Sequence, residues 1–190
     1  MSLMIEGLMK NLTSGDNLSL IGKKVGADDK SVKSTLEMGL PLLLGALNTK
    51  ASKPEGMSAI MNSVSQASSS NPLENIVGLL GGSGSAQGSD MLSSLLGSNV
   101  APIQQALSGK TGLSSGITGK ILTMAMPLLM NVLSKKMGSS MGTEGLSTLL
   151  GEESKMALSA SPAAAGLIKD LSASEKSTGG LWERIKKMFG

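Results

Sequence analysis

Two stretches of the chain spell the G-x-S-x-G pattern of a hydrolase nucleophile, Gly112-Leu113-Ser114-Ser115-Gly116 and Gly138-Ser139-Ser140-Met141-Gly142. The chemistry they suggest is attack by the central serine on an acyl carbon. That reaction needs a strand before the serine and a histidine to take its proton, and the chain has no histidine. The same absence removes the HExxH zinc site and imidazole acid/base catalysis. Zero cysteines remove thiolate nucleophiles, thiolate metal sites and disulfides. Gly109-Lys110-Thr111 ends like a phosphate-binding loop, but Gln104 stands where its first glycine belongs. No serine lies three residues before a lysine, so the SxxK acylation pattern is missing. The acidic pairs Asp28-Asp29 and Glu152-Glu153 are sequence neighbours, which do not face each other on a helix. The expectation is a non-enzymatic chain with no catalytic residue, no metal site and no cofactor.

Two charged constellations point instead to binding. From Ile21 to Leu36 the chain reads as a short helix, a turn with Gly26 and a second helix. In a helix-turn-helix, Lys30 and Lys33 would face the major groove while Lys23 and Lys24 touch phosphate. The bland alternative is a helix corner with a solvated lysine face. Asp28 and Asp29 would repel phosphate, and a net charge of +3 is mild, so nucleic acid is disfavoured as a partner. The second constellation is Leu181 to Gly190. On a helix, Leu181, Trp182, Ile185, Met188 and Phe189 gather on one side, with Glu183, Arg184, Lys186 and Lys187 on the other. Leu181, Trp182, Arg184, Ile185, Lys186, Lys187 and Phe189 are candidates for contact with a partner groove or, weakly, a membrane surface. Packing on its own domain is the equal alternative.

The elements that position these residues are helical by pattern. Leu3, Met4, Leu8 and Leu12 fall at helical spacing before Ser14-Gly15-Asp16-Asn17 breaks it. Leu18 to Val25 forms a second helix ended by Gly26, and Asp28 or Asp29 caps a third carrying Val32, Leu36, Leu40, Leu43 and Leu47. Pro41 requires that helix to kink or to restart there. Met57, Ile60, Met61 and Val64 form the next, and Leu73, Ile76, Val77 and Leu80 another. Beyond the middle come short helices at Met91–Leu96 and Ile103–Leu107, then the run around Pro127.

The two proline-centred runs are the densest apolar segments. Sliding the sequence by 86 residues aligns Lys24, Gly26, Leu36, Met38, Pro41, Leu42, Leu43, Leu47 and Lys50 with identical residues ending at Lys136, nine identities in 27 positions. A shift of 89 matches Glu55-Gly56-Met57-Ser58 with Glu144-Gly145-Leu146-Ser147. We read an internal duplication. The expected architecture is all-α: a multihelical array of two similar units with Pro-kinked apolar central helices and a C-terminal amphipathic tail. Its parts are 1–80, a first unit; 81–89, a Gly/Ser-rich linker or loop that buries nothing; 90–160, a second unit; 161–180, a small and polar linker that includes a helical stretch from Ala163; and 181–190, the tail. The only aromatics, Trp182 and Phe189, lie in that tail, so fourteen Met and the aliphatic residues must fill the core.

The ordered series Val25-Gly26-Ala27-Asp28-Asp29 with Val32, Leu40-Pro41-Leu42-Leu43-Leu44, Pro54-Glu55-Gly56, Leu95-Leu96-Gly97, Thr111-Gly112-Leu113 and Met126-Pro127-Leu128 resembles the bacterial domain-of-unknown-function family 937, which includes the YidB-like proteins. The likeness covers about Leu18 to Gly151. It implies a multihelical all-α fold, and it brings no activity, cofactor or catalytic residue.

Each apolar run is about 12 residues, short of the ~20 that cross a bilayer, and the N-terminus lacks the basic start of a signal peptide. The expected setting is cytoplasmic. The leading expectation is a helical scaffold or interaction protein that associates with copies of itself or with a protein partner. The alternative is a binder of lipid or acyl chains, through a cavity or self-association face at Leu40, Pro41, Leu44, Met126, Pro127 and Met130.

Overall fold

A computed structural model describes residues 3–14, 16–68, 82–138 and 142–168. Among them all regular structure is helical: α1 (Leu3–Thr13), α2 (Asn17–Val25), α3 (Asp29–Ala51), α4 (Pro54–Ser68), α5 (Gly82–Leu96), a 3-10 turn (Gly97–Asn99), α6 (Val100–Thr111), α7 (Ser115–Met137), α8 (Thr143–Ala160) and a short segment over 162–168.

Local chemistry sets the boundaries. α2 ends on Gly26 at φ 80°, whose N–H donates to the Gly22 carbonyl. α6 ends the same way on Gly112 at φ 73°, donating to Ser108. Both are left-handed positions that favour glycine. α3 then starts at Asp28, whose carboxylate accepts from the Ser31 N–H, and α7 starts at Ser114, whose hydroxyl accepts from the Ile117 N–H. Pro54 opens α4 at the first helical position, where its missing N–H is harmless.

α3 and α7 lie side by side at the centre. Both have 23 residues, and each carries its proline twelve residues in, at Pro41 and Pro127. Neither helix restarts at its proline. Gly39 lets them approach, since a Cβ there would sit 3.0 Å from Leu122 Cδ2. The other helices then cross over: α4 leaves α3 and lies on α7, while α8 leaves α7 and makes the largest contact of α3. α5 and α6 pack on α7, and α1 and α2 on α3. One continuous core results, running from Met4 through Leu43 and Leu129 to Leu167.

Three expectations change here. The stretch 81–89, expected to be a linker that buries nothing, is helical from Gly82 onward. Gly88 in it is buried, and a Cβ on it would overlap the Thr123 carbonyl oxygen. Glycine brings no apolar side chain to a core, but it lets backbone approach backbone. The segment 161–180 holds the helical stretch expected from Ala163, over 162–168, but Ala164 and Leu167 are buried there, so that stretch belongs to the core and not to a linker. The central apolar runs are parts of 23-residue helices, and α7 is long and apolar enough to cross a membrane, with a mean hydropathy of 1.4 over its best window. Other helices bury 72% of that window, which is the situation of a core helix. The helix expected around Leu73 to Leu80 lies outside the described residues.

Candidate functional site

The six residues expected to line a cavity or self-association face are interior. Leu40, Leu44, Met126 and Met130 are fully buried, and Pro41 and Pro127 count among the buried residues of their helices. Between the central helices, the void bordered by Leu36, Ile121, Met124 and Leu128 measures about 10 Å³. That holds no more than one water. That void lies toward the α1–α2 end of the central pair, and none of the six predicted residues lines it. Pro41 also lines a groove on its outer side.

There α1, α3 and the end of α8 bound a groove of about 360 Å³. Its walls are Ile5 and Met9 from α1, Glu37, Met38 and Pro41 from α3, and Ala157, Ala160, Ser161, Pro162 and Ala163 from the last turn of α8 and beyond. The lining is mostly apolar, and two half-buried methionines give it adaptable walls. The small side chains of Ala157, Ala160, Ser161 and Ala163 leave the space that larger ones would fill. Ala160 also borders a shallower depression with Glu152, Lys155, Met156 and Ser159. Met156, 43% exposed, and Leu20, 39% exposed, are the exposed large apolar side chains among the described residues.

Backbone chemistry distinguishes the groove from an ordinary surface dip. Pro41 has no N–H to donate to the carbonyl of Glu37, four residues earlier. Both residues line the groove, so the helical turn that lacks this hydrogen bond borders it. The matching position in α7 is the carbonyl of Thr123, which Pro127 leaves without its helical donor. Here the backbone of Gly88 from α5 closes over it, in the manner of a Cα–H···O contact. Where α5 seals Pro127, the described residues leave an opening over Pro41.

The other predicted residues fall as follows. Lys23, Lys24, Lys30 and Lys33 are exposed around the α2–α3 corner. Lys33 sits 3.9 Å from Glu37. The N-terminal end of α3, which a recognition helix would present, carries two carboxylates. Ser31 holds the Asp28 carboxyl below its usual value through its hydroxyl and N–H, and Asp29 accepts from the Ser19 hydroxyl at 2.7 Å. Ser114, the centre of the first G-x-S-x-G pattern, caps a helix and follows a helix instead of a strand. Ser140 and the tail candidates Leu181, Trp182, Arg184, Ile185, Lys186, Lys187 and Phe189 lie outside the described residues. The groove residues other than Pro41 were missed in sequence. Their signals were the half-polar Glu37-Met38 step just before the apolar run of α3 and the low volume of Ala160-Ser161-Pro162-Ala163.

A family model described as "Bacterial protein of unknown function (DUF937)" matches residues 7–136. The match covers more than half of the chain, so the chain belongs to this family. Neither the curated proteins nor the solved structures contain a match to it.

Proposed function

We propose that this member of a family without an assigned activity is a non-enzymatic helical interaction module, which seats an apolar segment of a protein partner in the groove over Pro41. The observation that carries the reading is the contrast between two equivalent positions. Over Pro127 the proline-freed carbonyl is covered by a helix, α5; over Pro41 the corresponding place is a mostly apolar groove.

The contrast has meaning because we infer that the halves are copies of one unit. Equal central helices, prolines at equal depth, paired left-handed glycines and paired side-chain N-caps support this. So does the reciprocal crossing of α4 onto α7 and of α8 onto α3. Among the described residues the groove is the surface suited to self-association, the interaction expected from the sequence, because there the proline-centred runs are interior and the exposed large apolar residues are scattered. A small apolar ligand is a second reading, favoured by a volume within the ~300–1,000 Å³ of ligand pockets. One co-purified lipid per chain in native mass spectrometry would support it.

The test uses 8-anilinonaphthalene-1-sulfonate on the full chain carrying Leu181→Ser, Trp182→Ser and Phe189→Ser, so that the terminal segment loses both aromatic rings and most of its apolar surface. Saturable binding, weakened at least tenfold by adding Met38→Lys, is expected. Absent binding, or binding indifferent to Met38→Lys, would contradict the proposal.

A further inference from the structure

We propose that the occupant of the groove over Pro41 is the chain's own terminal segment, Leu181–Gly190, with the Trp182 ring seated against Pro41 and Met38. This deepens the reading above and rests on it: the module carries its own competitor for partner binding.

Four observations lead to this segment. First, the equivalent place over Pro127 is filled from within the chain by α5, so the shape required is a helix lying across the proline. Second, the described chain ends beside the groove. Ile168 packs against Gly45, with its Cδ1 2.5 Å from where a Cβ would be, and Gly45 is one helical turn from Pro41. Third, the tether is suitable. Residues 169–180 include Ser172-Ala173-Ser174-Glu175-Lys176-Ser177-Thr178-Gly179-Gly180, and twelve residues of chain can reach at most about 40 Å. Such a tether raises the local concentration of the segment to roughly the millimolar range.

Fourth, the chemistry matches on both sides. The groove offers apolar walls and one backbone acceptor without its helical donor, the Glu37 carbonyl. The segment offers five apolar side chains on one helical face and the chain's only indole, whose N–H is a donor with no acceptor function. Seating the ring beside Pro41 brings that donor to the Glu37 carbonyl while burying the largest apolar surface the chain owns. Arg184, Lys186 and Lys187 on the opposite face then point to water, near Glu37, which lines the groove and is exposed.

Trp182 is the only tryptophan, so its fluorescence reports on one place. In the full chain, emission shifted to the blue of solvent-exposed tryptophan is expected, with acrylamide quenching reduced severalfold and both unchanged over a hundredfold range of protein concentration. Met38→Lys should return emission and quenching to solvent-exposed values. Ala160→Arg, at an exposed rim position that leaves the core untouched, should do the same and guards against a fold defect in the first variant. Solvent-exposed emission in the unaltered chain would overturn the inference. So would shielding that grows with protein concentration, which would place the segment on a second copy, or shielding that appears only with anionic lipid vesicles, or shielding that neither groove variant relieves. Probe binding by the serine-substituted chain is independent of all these outcomes, so the groove and its proposed occupant fail separately.

Discussion

The carbonyl of Thr123 and the carbonyl of Glu37 are in the same chemical position, each deprived of its helical donor by a proline four residues on, and the fold treats them differently. A glycine helix backbone closes over Thr123, whereas Glu37 borders a groove walled by Met9, Met38 and Ala160. A proline inside a helix thus does more than bend or weaken it. It leaves an acceptor and a flattened face, and the residue types packed opposite decide whether that face becomes core or site.

The sharpest way to break this comparison is to add volume on each side. Gly88→Ala forces a Cβ into the Thr123 backbone, which has no flexible end to yield, and should cost about 3 kcal/mol in urea unfolding. Ala160→Leu, on the open side, should change stability by no more than about 0.5 kcal/mol. Equal costs would mean that the two faces are alike.

A second pair of matched residues is Lys136 and Lys50. Lys136 Nζ meets Glu153 Oε1 at 3.2 Å, and Glu153 is buried. Lys50 Nζ donates to the Ser94 carbonyl at 3.0 Å in an exposed setting. Lys136→Met withdraws a partner from a buried carboxylate and should cost about 2 kcal/mol, against about 0.5 kcal/mol for Lys50→Met.

Thr118 and Val32 form a third pair, both fully buried. The Thr118 hydroxyl has no hydrogen-bond partner among the described residues, and valine already stands at the matched position. Thr118→Val should therefore stabilise by about 1 kcal/mol, and Val32→Thr should destabilise by a similar amount.

The smallest contrast is between the caps. Asp28 caps α3 as a carboxylate held below its usual 3.8 by the hydroxyl and N–H of Ser31, while Ser114 caps α7 without a charge. A lowered folded value means that the contribution of Asp28 is fully present above the unfolded value. It is lost as pH falls through the lower, folded one. Asp28→Asn should flatten that part of the acid unfolding curve, and Ser114→Ala should leave its shape unchanged.

Much of the fold is legible in the residues. Gly26 and Gly112 mark helix ends because the left-handed turn favours them. Asp28 and Ser114 mark starts because short oxygen side chains reach free N–H groups. The heptad-like spacing of Leu36, Leu40, Leu43 and Leu47 announces a core helix. The groove is illegible for a physical reason: Ile5, Met38 and Ala160 are distant in sequence, and what they form depends on which helix crosses which. Gly88 misleads for the converse reason, since a residue without a side chain contributes nothing to hydropathy and yet sets the closest backbone approach over Pro127.

The central claim, that the Pro41 face is open to an apolar occupant and the Pro127 face is sealed, is tested most directly by methyl NMR of ¹³C-methionine protein. The full chain would carry Leu181→Ser, Trp182→Ser and Phe189→Ser and be titrated with 8-anilinonaphthalene-1-sulfonate. Saturable shifts of the Met9 and Met38 methyls, with Met126 and Met130 unmoved, are the predicted result. Shifts at Met126 and Met130, or none at Met9 and Met38, would contradict it.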